Sequence, residues 1–245
     1  HNPYVSILDT ARYNLHRQAE GIRFFEFNKT FNKKEDSYEE ESCLTLLSIG
    51  PSTKEHWKTR AHNGFYDLKG MVEEFGLNFF NGFSFSSAQE NAKDFLHFQS
   101  ISLDKHIIGY IGQLHPLMLK DKDIEKDSFV ACFNIPLLLE LFLGRNFKYE
   151  LTGRFPRVER DLSLIIPKGI TYDQIKSLAF NKKSYLIDCY LFDVYKDEKL
   201  KEGKSSYALR LIFENKERTM EDKEIDEFID SFINLLNKKG ITLRS

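Results

Sequence analysis

The sequence predicts an α+β protein of two domains, and three observations lead to this prediction. The last part of the chain orders its patterns as strand, helix, strand, strand, helix, strand. The earlier part has strand patterns in hairpin-like pairs with helices between them, which is typical of an antiparallel sheet. Residues 145–159 hold no long apolar element, so we predict domains of residues 1–153 and 154–245, as a 245-residue length favours.

The first predicted domain combines amphipathic helices with strand pairs. Val5, Leu8, Ala11 and Leu15 recur at helical spacing, and Phe65 opens a second such pattern. Short helices are predicted after Pro116 and Pro136. Strands are predicted over residues 23–31, 43–49, 99–103, 106–114 and 129–135. The charged segment 32–42 predicts a hairpin loop, Asp104–Lys105 a tight turn, and the aromatic segment 78–99 no regular element.

The second predicted domain has a more regular pattern. Strands are expected over residues 160–166, 186–195 and 205–213, with a short edge strand over 241–244. Thr171 and Gln174 form a capping box, and Thr219 is expected to cap a long helix that Gly240 ends. Apolar residues follow at helical spacing in that helix: Ile225, Phe228, Ile229, Phe232 and Leu236. This βαββαβ order predicts a ferredoxin-like sheet with both helices on one face and the other face free to bind.

Composition and charge exclude several classes of protein. Apolar residues make up 41% of the chain and the net charge is −2, which indicates a packed core and gives no global sign of nucleic-acid binding. Cys43, Cys132 and Cys189 lie far apart, which predicts reduced thiols and a cytoplasmic protein. No apolar run reaches the ~20 residues that span a bilayer, so no membrane partner is expected. The chain begins at His1, as we expect for a segment of a longer protein.

Common catalytic and metal-binding motifs are absent from the sequence. His56, His62, His97 and His115 match no zinc spacing, so we expect structural histidines and no metal ligands. No nucleophile elbow, HExxH, P-loop or dinucleotide motif occurs. Gly109 and Gly112 are too sparse for a phosphate cradle and are expected to permit close strand packing. The loop 196–204 holds four lysines and three acids, which suits either a phosphate contact or, slightly better, a solvated loop.

Specific stretches carry a family resemblance. The tail resembles the ferredoxin-fold anticodon-binding domain of bacterial phenylalanyl-tRNA synthetase β subunits. The matching stretches are FP (155–156), RDLSLII (160–166), LFDVY (191–195), GKSSYALRLIF (203–213), RTMEDKEI (218–225) and the closing Gly240 with Leu243–Arg244. The first domain resembles the catalytic-like, class II synthetase-like domain of the same subunits. It does so through YNLHR (13–17), RFFEFNKTF (23–31), FYDLKG (65–70) and IGYIGQLHP (108–116).

The resemblance implies a scaffold without chemistry of its own. Class II cores grip the ATP α-phosphate with an arginine, but Asn32 stands at that position and Lys34 replaces the expected acid. Catalysis is therefore expected in an α subunit, within an (αβ)2 phenylalanine–tRNA ligase that uses ATP and magnesium. No catalytic residue, cofactor or metal is expected in this chain, because the family's β-subunit magnesium site lies upstream.

The resemblance also implies that the tail binds the anticodon region of tRNA(Phe). Single-stranded RNA is read on sheet faces, with cations on its phosphates. If Leu164 and Leu209 face the helices, then Asp161 and Ala208 face outward with other candidates. The candidate RNA-binding residues are Arg154, Arg157, Arg160, Ser163, Lys204, Ser206, Arg210 and Arg218.

Two alternatives remain open from the sequence. Ferredoxin-like folds also serve as regulatory or small-molecule-sensing modules, here with a structural partner domain. A self-sufficient class II-type enzyme is a further alternative, and Asn32 and Lys34 argue against it.

Overall fold

The computed structural model describes residues 2–34, 37–51, 64–80, 82–87, 92–145, 155–180, 185–195 and 204–244. The chain divides into two compact units, His1–Phe147 and Lys148–Ser245. The domain boundary predicted between residues 153 and 154 lies outside the described residues.

The first unit contains a six-stranded antiparallel sheet with helices on both faces. Its helices are α1 (Val5–Leu15), α2 (Phe65–Phe80), α3 (Pro116–Lys120) and α4 (Ile135–Leu143). Its strands are β1 (Ile22–Lys34), β2 (Ser37–Ile49), β3 (Ser84–Ser87), β4 (Phe95–Leu103), β5 (His106–Leu114) and β6 (Ser128–Asn134). The strand order is β1-β2-β6-β5-β4-β3, and every neighbouring pair is antiparallel.

The predicted hairpin loop over residues 32–42 is wrong, because β1 and β2 continue through most of it. Their register is unbroken from Ile22 opposite Ile49 to Lys34 opposite Ser37. Charged residues occupy this ribbon because its side chains face water, and Lys29 pairs with Glu40 at 2.5 Å. Opposite charges on facing strands stabilise the ladder, so a polar stretch that resembled a loop is a strand pair.

The segment 78–99, to which the sequence assigned no element, contains all or part of four elements among its described residues. Helix α2 continues to Phe80, β3 follows, and the 3-10 turn Ala92–Asp94 leads into β4. The aromatic side chains pack together: the rings of Phe75 and Phe80 lie 5.9 Å apart, and both contact Phe83. Tertiary packing of aromatic rings, rather than a regular period, therefore places these residues.

Each face of the first sheet has its own apolar core. On one face, Leu8 and Ala11 of α1 pack with Leu47 and Val130. On the other face, α2 and α4 contribute to a cluster that includes Phe133. The N-cap side chains of α3 and α4 come from His115, which accepts from the Leu117 amide, and from Asn134, in agreement with helix starts at Pro116 and Pro136.

The second unit is the predicted ferredoxin-like fold. Its elements are β7 (Val158–Ile166), α5 (Tyr172–Phe180), β8 (Leu186–Tyr195), β9 (Ser205–Phe213), α6 (Asp222–Asn237) and β10 (Thr242–Leu243). The antiparallel strands follow the order β10-β7-β9-β8, so the first and third strands of the unit are central. Leu164, Leu209 and Leu211 are almost fully buried beneath the two helices, together with Ile225 and Phe232 of α6.

One predicted helix cap in this unit is confirmed and one is wrong. Thr171 and Gln174 exchange two hydrogen bonds of 3.1 and 3.4 Å, as the capping box requires. The N-cap of α6 is Glu221 rather than Thr219, and the Glu221 amide donates to Glu224 at 3.1 Å. The helix therefore starts two residues later than a Thr219 cap allows, and Met220 between the two positions is buried.

A substitution at Gly109 tests whether close packing of β5 against β6 contributes to the stability of the first unit. A Cβ at this position would lie 2.0 Å from the Cys132 carbonyl oxygen of β6, so Gly109→Ala is expected to destabilise the unit by about 1–3 kcal/mol. Gly70 in α2 is a matched control, because a Cβ there meets nothing within 4 Å. Gly70→Ala is expected to stabilise the helix by about 1 kcal/mol. Urea unfolding of both variants measures the difference, and equal shifts would contradict the packing argument.

Candidate nucleic-acid interface

The sheet of the second unit has one covered face and one uncovered face. Helices α5 and α6 pack on the covered face through the apolar core. Directly opposite residues of an antiparallel pair share a face, so the register identifies the other side, here called the outer face. It carries the side chains of Glu159, Asp161, Ser163 and Ile165 from β7, Ser206, Ala208, Arg210 and Ile212 from β9, and Asp188, Tyr190, Asp193 and Tyr195 from β8.

Three aromatic side chains form a row along β8 at this face. Tyr190, Phe192 and Tyr195 are 36%, 49% and 45% exposed. Phe192 lies at a register shift between Leu191 and Asp193, where β8 has one residue more than β9. Such a bulge redirects a side chain, and here the Phe192 ring lies beside an arginine of the outer face. The aromatic row therefore offers exposed planar surfaces of the kind that stack on bases.

Arg210 lies at the centre of the outer face and is held by carboxylates. Its Nε and Nη2 donate to Asp161 at 2.7 and 2.8 Å, and its Nη1 lies 3.0 Å from Glu159. The hydrogen bonds from Arg210 hold the pKa of Asp161 below its ordinary value. The guanidinium also lies 5.4 Å from the centre of the Phe192 ring. Arg210 therefore extends the aromatic surface as a fixed plane, while its charge is largely neutralised.

Arg244 and Ser206 form a second contact at the end of the aromatic row. The Arg244 guanidinium lies 5.0 Å from the Tyr195 ring and donates to the Ser206 hydroxyl at 3.3 Å. Its backbone amide donates to the Ser163 carbonyl at 2.8 Å, which fixes the chain end on the sheet. Ser206 is only 4% exposed beneath this arrangement, although the sequence predicted an outward-facing, accessible hydroxyl.

Other predicted RNA-binding cations already have carboxylate partners. Arg157 pairs with Glu214 at 2.9 Å, and Arg160 pairs with Asp222 at 2.6 Å. Arg160 lies opposite the buried Leu211, which places it on the helix side of the sheet. These two arginines therefore stand outside the outer face.

The remaining three predicted cations differ in their surroundings. Arg218 donates to both carboxylate oxygens of Glu224, at 2.9 and 2.6 Å, and these bonds lower the pKa of Glu224. Lys204 is exposed just before β9. Arg154 lies outside the described residues. The structure thus brings Ser163, Ser206 and Arg210 together on one face. The aromatic row and Arg244 also lie there, and the sequence analysis had not included them among the candidates.

The signal for the missed aromatic residues was present in the sequence. Alternation in β8 assigns Tyr190 to one face and Leu191 to the other, as in any half-buried strand. Alternation also puts Phe192 on the face of Tyr190, but the position of Tyr195 was not predictable, because it depends on the bulge in the pairing with β9. Arg244 depends on the last strand docking beside β7, which is a long-range contact.

Groups that drive covalent or metal chemistry are not assembled in the described parts of the chain. The three cysteines are free and buried, and burial raises the pKa of Cys132 to about 12 and of Cys189 to about 11. These thiols stay protonated near neutral pH. The described residues hold no group of three or more His, Cys, Asp or Glu that fits a metal ion, so they offer no magnesium-binding set. Asn32 and Lys34 lie within β1.

The helices offer no membrane-spanning candidate within the described ranges. None combines the length and the apolar character that crossing a bilayer requires.

A ferredoxin-like sheet that exposes aromatic rings and arginines on one face defines a class of single-stranded RNA-binding domains. Comparison with protein families agrees, since residues 153–244 match the ferredoxin-fold anticodon binding domain. Residues 3–135 match the phenylalanyl tRNA synthetase beta chain CLM domain. The chain therefore belongs to the phenylalanyl-tRNA synthetase β chain family. These matches do not favour the alternative of a small-molecule-sensing module.

Similar proteins carry the name phenylalanine–tRNA ligase beta subunit. The protein from Carboxydothermus hydrogenoformans is 32% identical over 98% of this chain and 30% of its own length. The protein from Hahella chejuensis is also 32% identical, over 99% of this chain and 31% of its own length. The Thermotoga maritima protein is 25% identical over 94% of this chain and 29% of its own length. The chain thus spans about a third of the length of these relatives.

The ion pair between Asp161 and Arg210 predicts a pH-dependent contribution to stability. Because the folded pKa of Asp161 lies below its ordinary value of 3.8, the pair stabilises the fold above that pH and is lost as pH falls through the folded pKa. Asp161→Asn should therefore lower the thermal unfolding midpoint at pH 7, and the difference from wild type should vanish once the pH is below the folded pKa of Asp161.

Thermal unfolding followed by circular dichroism at several pH values measures this difference. Ser163→Ala, two residues along the same face, removes no titrating group and should run parallel to wild type. A gap between Asp161→Asn and wild type that stays constant with pH would refute the role of the ion pair.

Proposed function

We propose that this chain works as part of a phenylalanine–tRNA ligase, in which it binds the anticodon region of tRNA(Phe) and supports a catalytic α subunit. The observation that carries the RNA-binding role is the outer face, where the aromatic row lies beside two arginines. The named relatives support the enzyme class, since each is a phenylalanine–tRNA ligase beta subunit.

Bases and phosphates would use different parts of the outer face. Unstacked anticodon bases would lie on Tyr190, Phe192 and Tyr195, because aromatic rings stack on bases of any sequence. Arg210 would add its planar face, since its charge is matched by Asp161 and Glu159. Ser163 would supply an exposed hydroxyl to this surface.

Phosphate contacts would come from cations at the edges of the sheet. Lys204 is exposed at the start of β9, and Arg244 lies beside Tyr195. Arg157, Arg160 and Arg218 would first have to leave their carboxylate partners, which makes each a weaker phosphate ligand. Arg154 remains a candidate from sequence alone.

The first unit would act as a scaffold in this proposal. Asn32 and Lys34 stand where class II cores have an arginine and an acid, which supports adenylation taking place in the α subunit. ATP and magnesium would serve the whole enzyme, an (αβ)2 assembly in the cytoplasm. The chain alone would not form aminoacyl-adenylate.

A surface on β1 suits the α subunit. Phe25 and Phe27 are 69% and 68% exposed on the same side of the edge strand, and their rings contact each other at 6.1 Å. Phe31 and Tyr38 continue the exposed aromatic side chains along the ribbon. Exposed apolar patches of this kind mark protein interfaces. We therefore assign this surface, the β1 aromatic patch, to the α subunit that the name of the relatives implies.

The RNA-binding role predicts a loss of affinity from the aromatic row. Tyr190→Ala and Phe192→Ala should each weaken binding of a tRNA(Phe) transcript by about 1–3 kcal/mol, because each removes one stacking surface. Lys204→Ala should instead reduce the slope of log affinity against log salt by about 1, because it removes one phosphate contact. Filter binding at several salt concentrations measures both effects.

Tyr66→Ala is the matched control for these variants. Tyr66 is an aromatic residue of the first unit with 80% exposure, so its loss should leave tRNA affinity unchanged. Equal losses in Tyr66→Ala and Phe192→Ala, or no salt-dependent binding of tRNA by the chain or by its complex with the α subunit, would refute the outer face as the RNA site.

The scaffold role predicts that the β1 aromatic patch holds the α subunit. The double change of Phe25 and Phe27 to Ser should weaken the complex by at least about 100-fold, since two buried aromatic side chains are lost. Co-purification and sedimentation of the co-expressed subunits measure this. Tyr13→Ser on α1, where the aromatic ring is 57% exposed, should leave the complex intact. A stable complex with both Phe25 and Phe27 changed would show that the α subunit docks elsewhere.

A further inference from the structure

A cavity opens on the first sheet, away from every residue assigned above. It has a volume of about 310 Å3 and lies between the start of α1 and the facing strands β2, β5 and β6. Small-molecule sites range over about 300–1,000 Å3, so this one suits a ligand at the small end. Apolar surface beside it comes from Pro3 and the exposed Ile107, whereas Ile108 and Phe133 are almost fully buried in the core on the other face of the sheet.

One carboxylate gives this cavity its charge. Among the described residues that line the cavity, Glu41 is the charged one. The Asn134 amide donates to Glu41 Oε1, and Asn134 is itself fixed because its Oδ1 accepts from the Leu137 amide at 2.9 Å. The carboxylate is therefore held in place by a side chain that a helix start keeps rigid. In the described parts of the chain, no Lys, Arg or His forms an ion pair with Glu41.

The remaining polar groups of the lining are neutral. Burial raises the pKa of the Cys43 and Cys132 thiols and of the Tyr110 hydroxyl, so all three keep their protons at neutral pH. The Cys132 thiol donates to Thr45, whose hydroxyl donates to the Pro3 carbonyl at 3.3 Å. These groups form hydrogen bonds within the protein. Glu41 is therefore the charged group of the lining, and in the described parts of the chain it has no ion pair.

We propose that this cavity binds a small protonated amine that carries a compact apolar group, with its ammonium on Glu41. An ammonium donates charge-assisted hydrogen bonds to a carboxylate, and the apolar group lies against Pro3 and Ile107. A carboxylate ligand is disfavoured by repulsion from Glu41, and a neutral alcohol lacks the ionic contribution. The site is independent of RNA binding, since it lies within the first unit.

Benzylamine and benzyl alcohol test the proposal, because they share a shape and differ in charge. Isothermal titration of the whole chain should show benzylamine binding at least about tenfold more tightly than benzyl alcohol, with benzoate weaker than both. The Glu41→Gln variant should lose this preference, because the amide keeps the contact with Asn134 but removes the charge. Glu40→Gln is the matched control: Glu40 is the adjacent residue, pairs with Lys29 and lies on the opposite face of the ribbon.

A second variant keeps the test independent of folding at Glu41. Ile107 is 66% exposed at the cavity and tolerates substitution, so Ile107→Arg should place a cation near the site and abolish benzylamine binding while the thermal unfolding midpoint stays close to wild type. Equal affinity for benzylamine and benzyl alcohol would overturn the proposal. The proposal would also be overturned if Glu41→Gln or Ile107→Arg bound benzylamine as tightly as the wild type does. Absence of saturable benzylamine binding to the wild type would overturn it too.

Discussion

The pairing of β7 with β9 is the constraint on which the second unit depends. The two central strands run in unbroken register from Val158 opposite Phe213 to Ile166 opposite Ser205. Because side chains alternate across a strand, this register sends Leu164 and Leu209 into the core and leaves Arg210 outside. A slip by one residue would exchange the two faces at once. The apolar core and the outer face, which we propose binds RNA, are thus two results of the same ladder.

Carboxylate pairing decides what each arginine of this unit can offer a ligand. Asp161 fixes Arg210 as a plane, while Asp222 and Glu224 hold Arg160 and Arg218 beside α6. Exposed ion pairs of this kind add little stability but do limit side-chain movement. The unit therefore relies on flat, ordered surfaces for bases and on few free cations, which agrees with a chain whose net charge is only −2.

Sequence patterns predicted the elements of both units well where the period was regular, and less well where tertiary contacts decide. The succession of strands and helices along the second unit followed from alternation and from the Thr171–Gln174 cap. The β1–β2 ribbon was shortened in the prediction, because charges on a solvated strand look like a loop. The outward orientation of Arg210 was predicted from the alternation of side chains along β9. Tyr195 and Arg244 were missed, since a bulge and the docking of the last strand depend on residues distant in sequence.

The exposed edge at β1 has a consequence for how the protein is made. An edge strand leaves backbone donors and acceptors unpaired on one side, and Phe25 and Phe27 add an apolar surface beside them. Two such edges can pair with each other as readily as with a proper partner. If the proposed α subunit covers this edge, a chain made in excess of that subunit would leave the edge open to self-association. Balanced synthesis of the two partners would then follow from the sheet itself.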